Sequence, residues 1–118
     1  MAQIILDTNV LIALWNDNSQ AKAMMPSFKK YDVCITVFTY VEFLAAVPMR
    51  IKASARKFLA DYPVITFTAS SLQAAKNFAF TFQTPQPQFM DLLIASNVKG
   101  SKAKFYTLNI KDFTKYQL

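Results

Sequence analysis

Short apolar runs alternate with longer amphipathic stretches along the chain. Runs rich in branched and aromatic side chains predict strands at residues 4–6, 33–37, 64–67 and 104–108. Apolar side chains at helical spacing predict helices at residues 10–15, 21–30, 40–46, 49–60, 69–82 and 88–98. Because each strand is followed by helices, the pattern predicts an α/β fold around a mainly parallel sheet of four to five strands.

Polar and special residues mark the ends of these predicted helices. Asp7 with its two polar neighbours can cap the first helix, and Thr39 can cap the helix at 40–46. Gly100 suits the C-terminal cap region of the helix at 88–98. The apolar positions at helical spacing in the helix at 69–82 are Leu72, Ala75, Ala79 and Phe82.

Composition excludes several kinds of chemistry. The chain has no histidine, so Ser-His-Asp catalysis, Cys-His catalysis and imidazole metal ligation are excluded. Cys34 is the single cysteine, which rules out an internal disulfide and cysteine-clustered zinc or iron–sulfur sites. Gly100 is the single glycine, so a glycine-rich phosphate loop is impossible. Carboxylates are therefore the expected catalytic groups.

Length, charge and apolar content limit the organisation and setting of the protein. No repeat, low-complexity tract or linker is found, so residues 1–118 are predicted to form one domain. Thirteen Lys and Arg against seven Asp and Glu give a net charge of +6, which favours a polyanionic partner. No run approaches 18 apolar residues, so no membrane contact is expected. A free cysteine and the absence of an export signal predict the cytoplasm.

Three of the seven acids lie in apolar surroundings. Asp7 directly follows the first predicted strand, Glu42 lies inside the apolar run at 37–46, and Asp91 lies inside the run at 89–95. A carboxylate that loses its hydration there needs compensation, and a bound metal ion supplies it. In an α/β sheet such residues gather beyond the carboxyl ends of the strands. Ligation by oxygen alone selects Mg2+ or Mn2+.

Four segments, three of which carry these acids, resemble the motifs of the PIN domain. The segments are Ile5-Leu6-Asp7-Thr8-Asn9-Val10-Leu11-Ile12, Thr39-x-x-Glu42, Asp91-Leu92-Leu93-Ile94-Ala95-Ser96 and Thr107-Leu108-Asn109-Ile110-Lys111-Asp112-Phe113. The closest type is the small VapC-like ribonuclease toxin of type II toxin–antitoxin systems. Receiver domains, which have adjacent acids after the first strand, and phosphatases with an Asp-x-Asp motif fit less well.

The resemblance implies a set of site residues in this sequence. Its catalytic acids are Asp7, Glu42, Asp91 and Asp112. Its metal ligands are Asp7, Glu42 and Asp91, with either Asn109 or Asp112 as a further ligand. Its supporting residues are Thr8, Asn9 and Thr107. One departure stands out, because Asn109 occupies a position where many members of the family have an acid.

The resemblance also implies an activity and partners. We expect an endoribonuclease that depends on Mg2+ or Mn2+ and acts as the toxin of a toxin–antitoxin pair, with RNA as substrate and an antitoxin protein as partner. We expect a homodimer that pairs through the aromatic helix segment at 77–82. The candidate RNA-binding residues are Lys99, Lys102, Lys104, Lys111, Arg50 and Arg56. The alternative hypothesis is a PIN-like module that binds RNA or protein without catalysis.

Overall fold

The computed structural model describes residues 2–118, which form four β-strands, seven α-helices and four short 3-10 helices. The strands are β1 (Gln3–Leu6), β2 (Asp32–Thr36), β3 (Val64–Ile65) and β4 (Lys104–Tyr106). The α-helices are α1 (Thr8–Trp15), α2 (Ser19–Met24), α3 (Val37–Ala46), α4 (Lys52–Leu59), α5 (Ala69–Thr81), α6 (Phe89–Ser101) and α7 (Ile110–Phe113). The 3-10 helices are Met25–Phe28, Met49–Ile51, Gln86–Gln88 and Thr114–Tyr116.

The four strands make one parallel sheet in the order β3-β2-β1-β4. Strand β1 lies inside the sheet and pairs with β2 on one side and β4 on the other. The predicted α/β fold with a parallel sheet is therefore confirmed. Because all four strands run in the same direction, the residues that follow them meet at one edge of the sheet.

Alternate residues of β1 face two separate hydrophobic clusters. Ile4 and Leu6 pack with residues from α1, α3 and α4, whereas Ile5 packs with residues from α6, α7 and the last 3-10 helix. Successive side chains of a strand point to opposite faces, so helices cover both sides of the sheet. This burial on both faces explains the continuous apolar run at residues 4–6.

The helix pair α5 and α6 packs at very close range around Gly100. A Cβ atom built on Gly100 would lie 2.4 Å from the backbone nitrogen of Ser71. The prediction that Gly100 caps the helix is therefore wrong, because α6 continues to Ser101 and ends with Lys102 in the left-handed conformation at φ 58°. The glycine is required by the helix–helix contact, which a pattern along one helix does not reveal.

Two further details differ from the sequence-based expectations. Thr36, and not Thr39, caps α3, because β2 ends at Thr36 and its hydroxyl accepts a hydrogen bond from the Thr39 amide at 3.1 Å. In α5, Leu72 is 48% exposed, and Phe78 joins Ala75 in packing against the hydrophobic cluster that contains Ile5 and residues of α6. No helix within residues 2–118 is both long enough and apolar enough to span a membrane.

Candidate active site

Asp7 lies at the carboxyl end of the central strand and begins helix α1. Its backbone amide donates to the Tyr106 carbonyl at 2.9 Å, which continues the β1–β4 ladder by one residue. Its Oδ1 atom accepts from the Thr8 amide at 2.8 Å, as an N-cap side chain does. Only 5% of Asp7 is exposed. The sheet and the helix together fix this carboxylate.

The segment after β4 holds the second oxygen of Asp7. The Thr107 hydroxyl donates to Asp7 Oδ2 at 2.7 Å and accepts from the Asn109 amide at 3.0 Å. Asn9 binds the same segment twice, through its Nδ2 atom to Thr107 Oγ1 at 3.3 Å and through its Oδ1 atom to the Leu108 amide at 3.2 Å. Thr107 and Asn9 therefore orient Asp7 and connect α1 to the segment after β4.

A chain of three buried hydroxyls links α1 to α3. Thr36 Oγ1 lies 3.3 Å from Thr39 Oγ1, which lies 3.0 Å from Thr8 Oγ1. All three residues are buried. This network fixes the start of α3 relative to Asp7, and Glu42 follows in the next turn of that helix. Thr36 and Thr39 were not among the predicted supporting residues, although their spacing of three after a strand is a capping pattern.

Asp7, Glu42 and Asp91 line one groove of about 630 Å³. Asp91 enters it from the first turn of α6. Asn109 lines the same groove, whereas Asp112 is not among the lining residues. The groove continues beyond the acids between mostly apolar side chains, which sequence reasoning did not assign to the site. These lining residues are Ile12, Trp15, Phe43, Val47, Pro48 and Ile51.

Burial and neighbouring acids raise the pKa values of Asp7 and Asp91. Burial is the largest cause that raises the pKa of Asp7, and the fields of Glu42 and Asp112 add to it, against the hydrogen bonds from Thr107 and Thr8. Burial also raises the pKa of Asp91 from 3.8 to about 6, and Asp7, Asp112 and Glu42 contribute in that order. Asp7 and Asp91 therefore both lie within electrostatic reach of Glu42 and Asp112.

The donor set fits a hard divalent cation. It consists of carboxylate oxygens with one amide, and these are the ligand types that Mg2+ and Mn2+ prefer. Within residues 2–118, no three Asp, Glu, Cys or His side chains stand close enough to form a ready-made metal site. A bound cation would therefore have to draw these carboxylates closer together.

Asn109 and Asp112 occupy different positions around the site. Asn109 precedes α7 and lines the groove without forming a side-chain cap for that helix. Asp112 lies in the first turn of α7, is exposed, and acts on Asp7 and Asp91 through its charge. Asn109 is therefore the better placed of the two to contact a ligand in the groove.

The six basic candidates are exposed but do not form one surface beside the acids. Arg50 lies between Pro48 and Ile51, which line the groove, and Lys111 precedes Asp112. Lys104 pairs with Ile4 near the amino ends of the strands, at the sheet edge opposite the acids. The remaining three candidates lie toward the C-terminal ends of their helices. Lys99 and Lys102 lie near the C-terminal end of α6, about 12 to 16 Å along the helix from Asp91, and Arg56 lies in the last turn of α4.

Comparison with known proteins yields matches of structure but not of sequence. No family model matches the chain, and no curated protein sequence matches it significantly. Among solved structures, a chain of DNA-bound VapBC from Salmonella typhimurium has a TM-score of 0.78 at 18% identity, covering 99% of this chain and 94% of that one. VapBC2 from Rickettsia felis, bound to a fragment of promoter DNA, gives a TM-score of 0.78 at 20% identity, covering 95% and 91%.

A third match is a toxin–antitoxin complex from Klebsiella pneumoniae, with a TM-score of 0.77 at 20% identity. It covers 94% of this chain and 90% of the matched chain. At these identities the matches establish the fold. The PIN-like fold expected from the four motifs, and the resemblance to VapC-like toxins at the level of the fold, are confirmed.

Proposed function

We propose that this protein is a metal-dependent endoribonuclease and the toxin of a toxin–antitoxin pair. The observation that carries the proposal is the gathering of Asp7, Glu42 and Asp91 at one groove beyond the central strand. Neighbouring acids and burial raise the pKa values of Asp7 and Asp91, and carboxyl groups perturbed in this way within a cleft are typical of a functional site. The shared fold with toxin–antitoxin complexes supports the same proposal.

Each acid has a distinct role in this proposal. Asp7, fixed by the Thr107 and Thr8 hydrogen bonds, provides the most rigid ligand for Mg2+ or Mn2+. Glu42 and Asp91 approach from two helices and supply charge that moves toward the cation. When bound, the metal ion polarises the scissile phosphodiester and lowers the pKa of a water molecule. Because the chain has no histidine, the carboxylates of Asp91 and Glu42 in the groove are the groups that would accept the proton of an attacking water molecule.

The partners follow from charge and exposed apolar surface. With four acids at the site, three acids remain against thirteen bases, a balance of +10 that suits RNA. An antitoxin protein is expected because the structural neighbours are toxin–antitoxin complexes. The apolar part of the groove, beside carboxylates, fits a helix that also carries a basic side chain. An RNA substrate implies the cytoplasm as the place of action.

A homodimer is also part of the proposal. Phe80 on α5 is 94% exposed and Val41 on α3 is 58% exposed. Near Val41 an apolar hollow is lined by Val37, Phe38 and Met90. Pairing of two copies of the chain would cover these exposed apolar side chains. Light scattering is expected to give twice the chain mass of 13.4 kDa, and a monomer at micromolar concentration would contradict pairing.

The alternative is a module that binds RNA or protein without catalysis. Two observations favour it, since Asn109 lacks the charge expected at its position and no three acids are preassembled within residues 2–118. Mapping of cellular RNA ends after induced expression separates the two functions. New cleavage sites with the wild type, and none with Asp7→Asn at equal protein level, would support the nuclease. Equal RNA profiles would support the binding module.

A further inference from the structure

Two aromatic rings restrict the position of Lys115, which is not itself among the residues that line the acidic groove. It lies in the 3-10 helix Thr114–Tyr116, and its ammonium nitrogen is 5.5 Å from the Phe82 ring centroid and 5.3 Å from the Tyr116 ring centroid. The two rings meet edge to face, with centroids 5.7 Å apart and an interplanar angle of 86°. A cation over two ring faces is restricted in position, although Lys115 itself is exposed.

Packing places this cation on the Asp91 side of the site. Tyr116 is 1% exposed and lies in the same hydrophobic cluster as Leu92, with Met90 and Phe82 packed against it. The residues on both sides of Asp91 therefore belong to the packing that positions Lys115. Electrostatics agrees with this placement, because the field of Lys115 lowers the pKa of Asp91 while every other named cause raises it.

Lys115 does not neutralise the acids that it approaches. Within the described part of the chain, the Lys115 ammonium forms no ion pair with a carboxylate, and its direct contacts are with the two aromatic rings. A lysine that is oriented by rings, close to carboxylates and yet unpaired, remains available for an anion. An RNA strand that enters the groove would bring its phosphates past this position.

We propose that the Lys115 ammonium binds a phosphate oxygen of the RNA on the Asp91 side of the groove. The inference rests on the proposed nuclease function and adds a substrate-contacting residue to it. A lysine acts here as a point charge that positions the strand without reading its sequence. Positive charge is thus the required property, so arginine at position 115 should bind the phosphate as lysine does.

The test uses binding and cleavage of a short fluorescein-labelled single-stranded RNA of mixed sequence. Binding is measured in the Asp7→Asn background, where the RNA is not cut, and cleavage in the otherwise unchanged protein with Mg2+. The variants are Lys115→Met, Lys115→Gln and Lys115→Arg. The matched control is Lys76→Met, since Lys76 is an exposed lysine of α5 that is not among the charges acting on Asp7 or Asp91.

We expect Lys115→Met and Lys115→Gln to raise Kd on the order of tenfold, and Lys115→Arg to stay near the parent. The slope of log Kd against log salt should fall by about 0.7, the value for one phosphate contact on a single strand. A residue that only packs against the rings would leave this slope unchanged. Cleavage should lose kcat/KM by a similar factor.

The outcomes separate this inference from the proposed function. If the wild type cleaves RNA and Lys115→Met behaves like Lys76→Met in affinity and salt slope, the inference is wrong while the nuclease stands. If Lys115→Arg loses as much as Lys115→Met, charge is not the required property and the inference is again wrong. If the wild type neither binds nor cleaves RNA, the proposed function and the inference both fail.

Discussion

Replacing Asp91 by asparagine should stabilise the protein in the absence of divalent cations. Burial and the neighbouring acids raise the pKa of Asp91 from 3.8 to about 6, so ionising it in the folded state costs free energy. This rise in pKa corresponds to a free-energy cost of about 3 kcal/mol for a fully buried group. Because Asp91 is only partly buried, solvent screening reduces this value, and we expect about 1 kcal/mol.

The sign of the pH dependence follows from proton binding. Between about pH 4 and pH 6 the folded protein holds a proton on Asp91 that the unfolded chain has released. The contribution of Asp91 to the free energy of unfolding is therefore fully present below pH 4 and is lost as the pH rises through about 6. Asp91→Asn removes this loss, so the difference between variant and wild type should be largest at pH 7 to 8.

Thermal unfolding followed by circular dichroism in a chelator measures this effect. At pH 7.5, Asp91→Asn should melt about 3 to 5 °C above the wild type, and the two proteins should converge near pH 4. With Mg2+ in excess, the difference in melting temperature between Asp91→Asn and the wild type should shrink or change sign, because the cation stabilises only a protein that binds it. A variant that melts at or below the wild type in chelator at pH 7.5 would refute the reasoning.

Four other substitutions test three separate parts of the structure. Gly100→Ala should lower the free energy of unfolding by about 2 kcal/mol in urea titration, because the added methyl group meets a backbone nitrogen at 2.4 Å; an unchanged midpoint would show that α5 and α6 can separate freely. Thr107→Val removes the hydroxyl that holds Asp7 and should weaken Mg2+ binding about tenfold in calorimetry; equal affinity would remove its supporting role. Asn109→Asp should bind Mg2+ more tightly than the wild type, because it adds negative charge at the groove. Asp112→Asn should weaken Mg2+ binding only slightly. A large loss of Mg2+ affinity in Asp112→Asn, with no gain in Asn109→Asp, would assign the ligand position to Asp112.

The parts of the fold that depend on neighbouring residues could be predicted from the sequence. Asp7 caps α1 as expected, because a strand end, a capping acid and an apolar helix follow one another within a few residues. The buried runs gave the strands in order, although β3 is limited to Val64–Ile65. The ends of short strands depend on which partner strand lies beside them, and a single sequence does not state this.

The parts that depend on contacts between distant segments could not be predicted in the same way. The requirement for glycine at position 100 follows from the close packing of α5 against α6. The contact between the Thr8 and Thr39 hydroxyls joins residues 31 positions apart. The predicted acids Asp7, Glu42 and Asp91 share a groove, yet sequence alone did not reveal its apolar extension near Trp15. The sequence also did not distinguish the positions of two basic candidates. Arg50 adjoins that groove, whereas Lys104 lies at the opposite edge of the sheet.

The central proposal is that the acids lining the groove beyond β1 cleave RNA with the help of a divalent cation. The most direct measurement is the cleavage of a labelled RNA by purified wild type and Asp7→Asn, each with Mg2+ and with a chelator. We predict cleavage by the wild type in Mg2+, none in chelator, and a loss in Asp7→Asn larger than the roughly 10- to 100-fold typical of a supporting residue. Cleavage that persists in chelator, or equally in Asp7→Asn of unchanged fold, would contradict the claim.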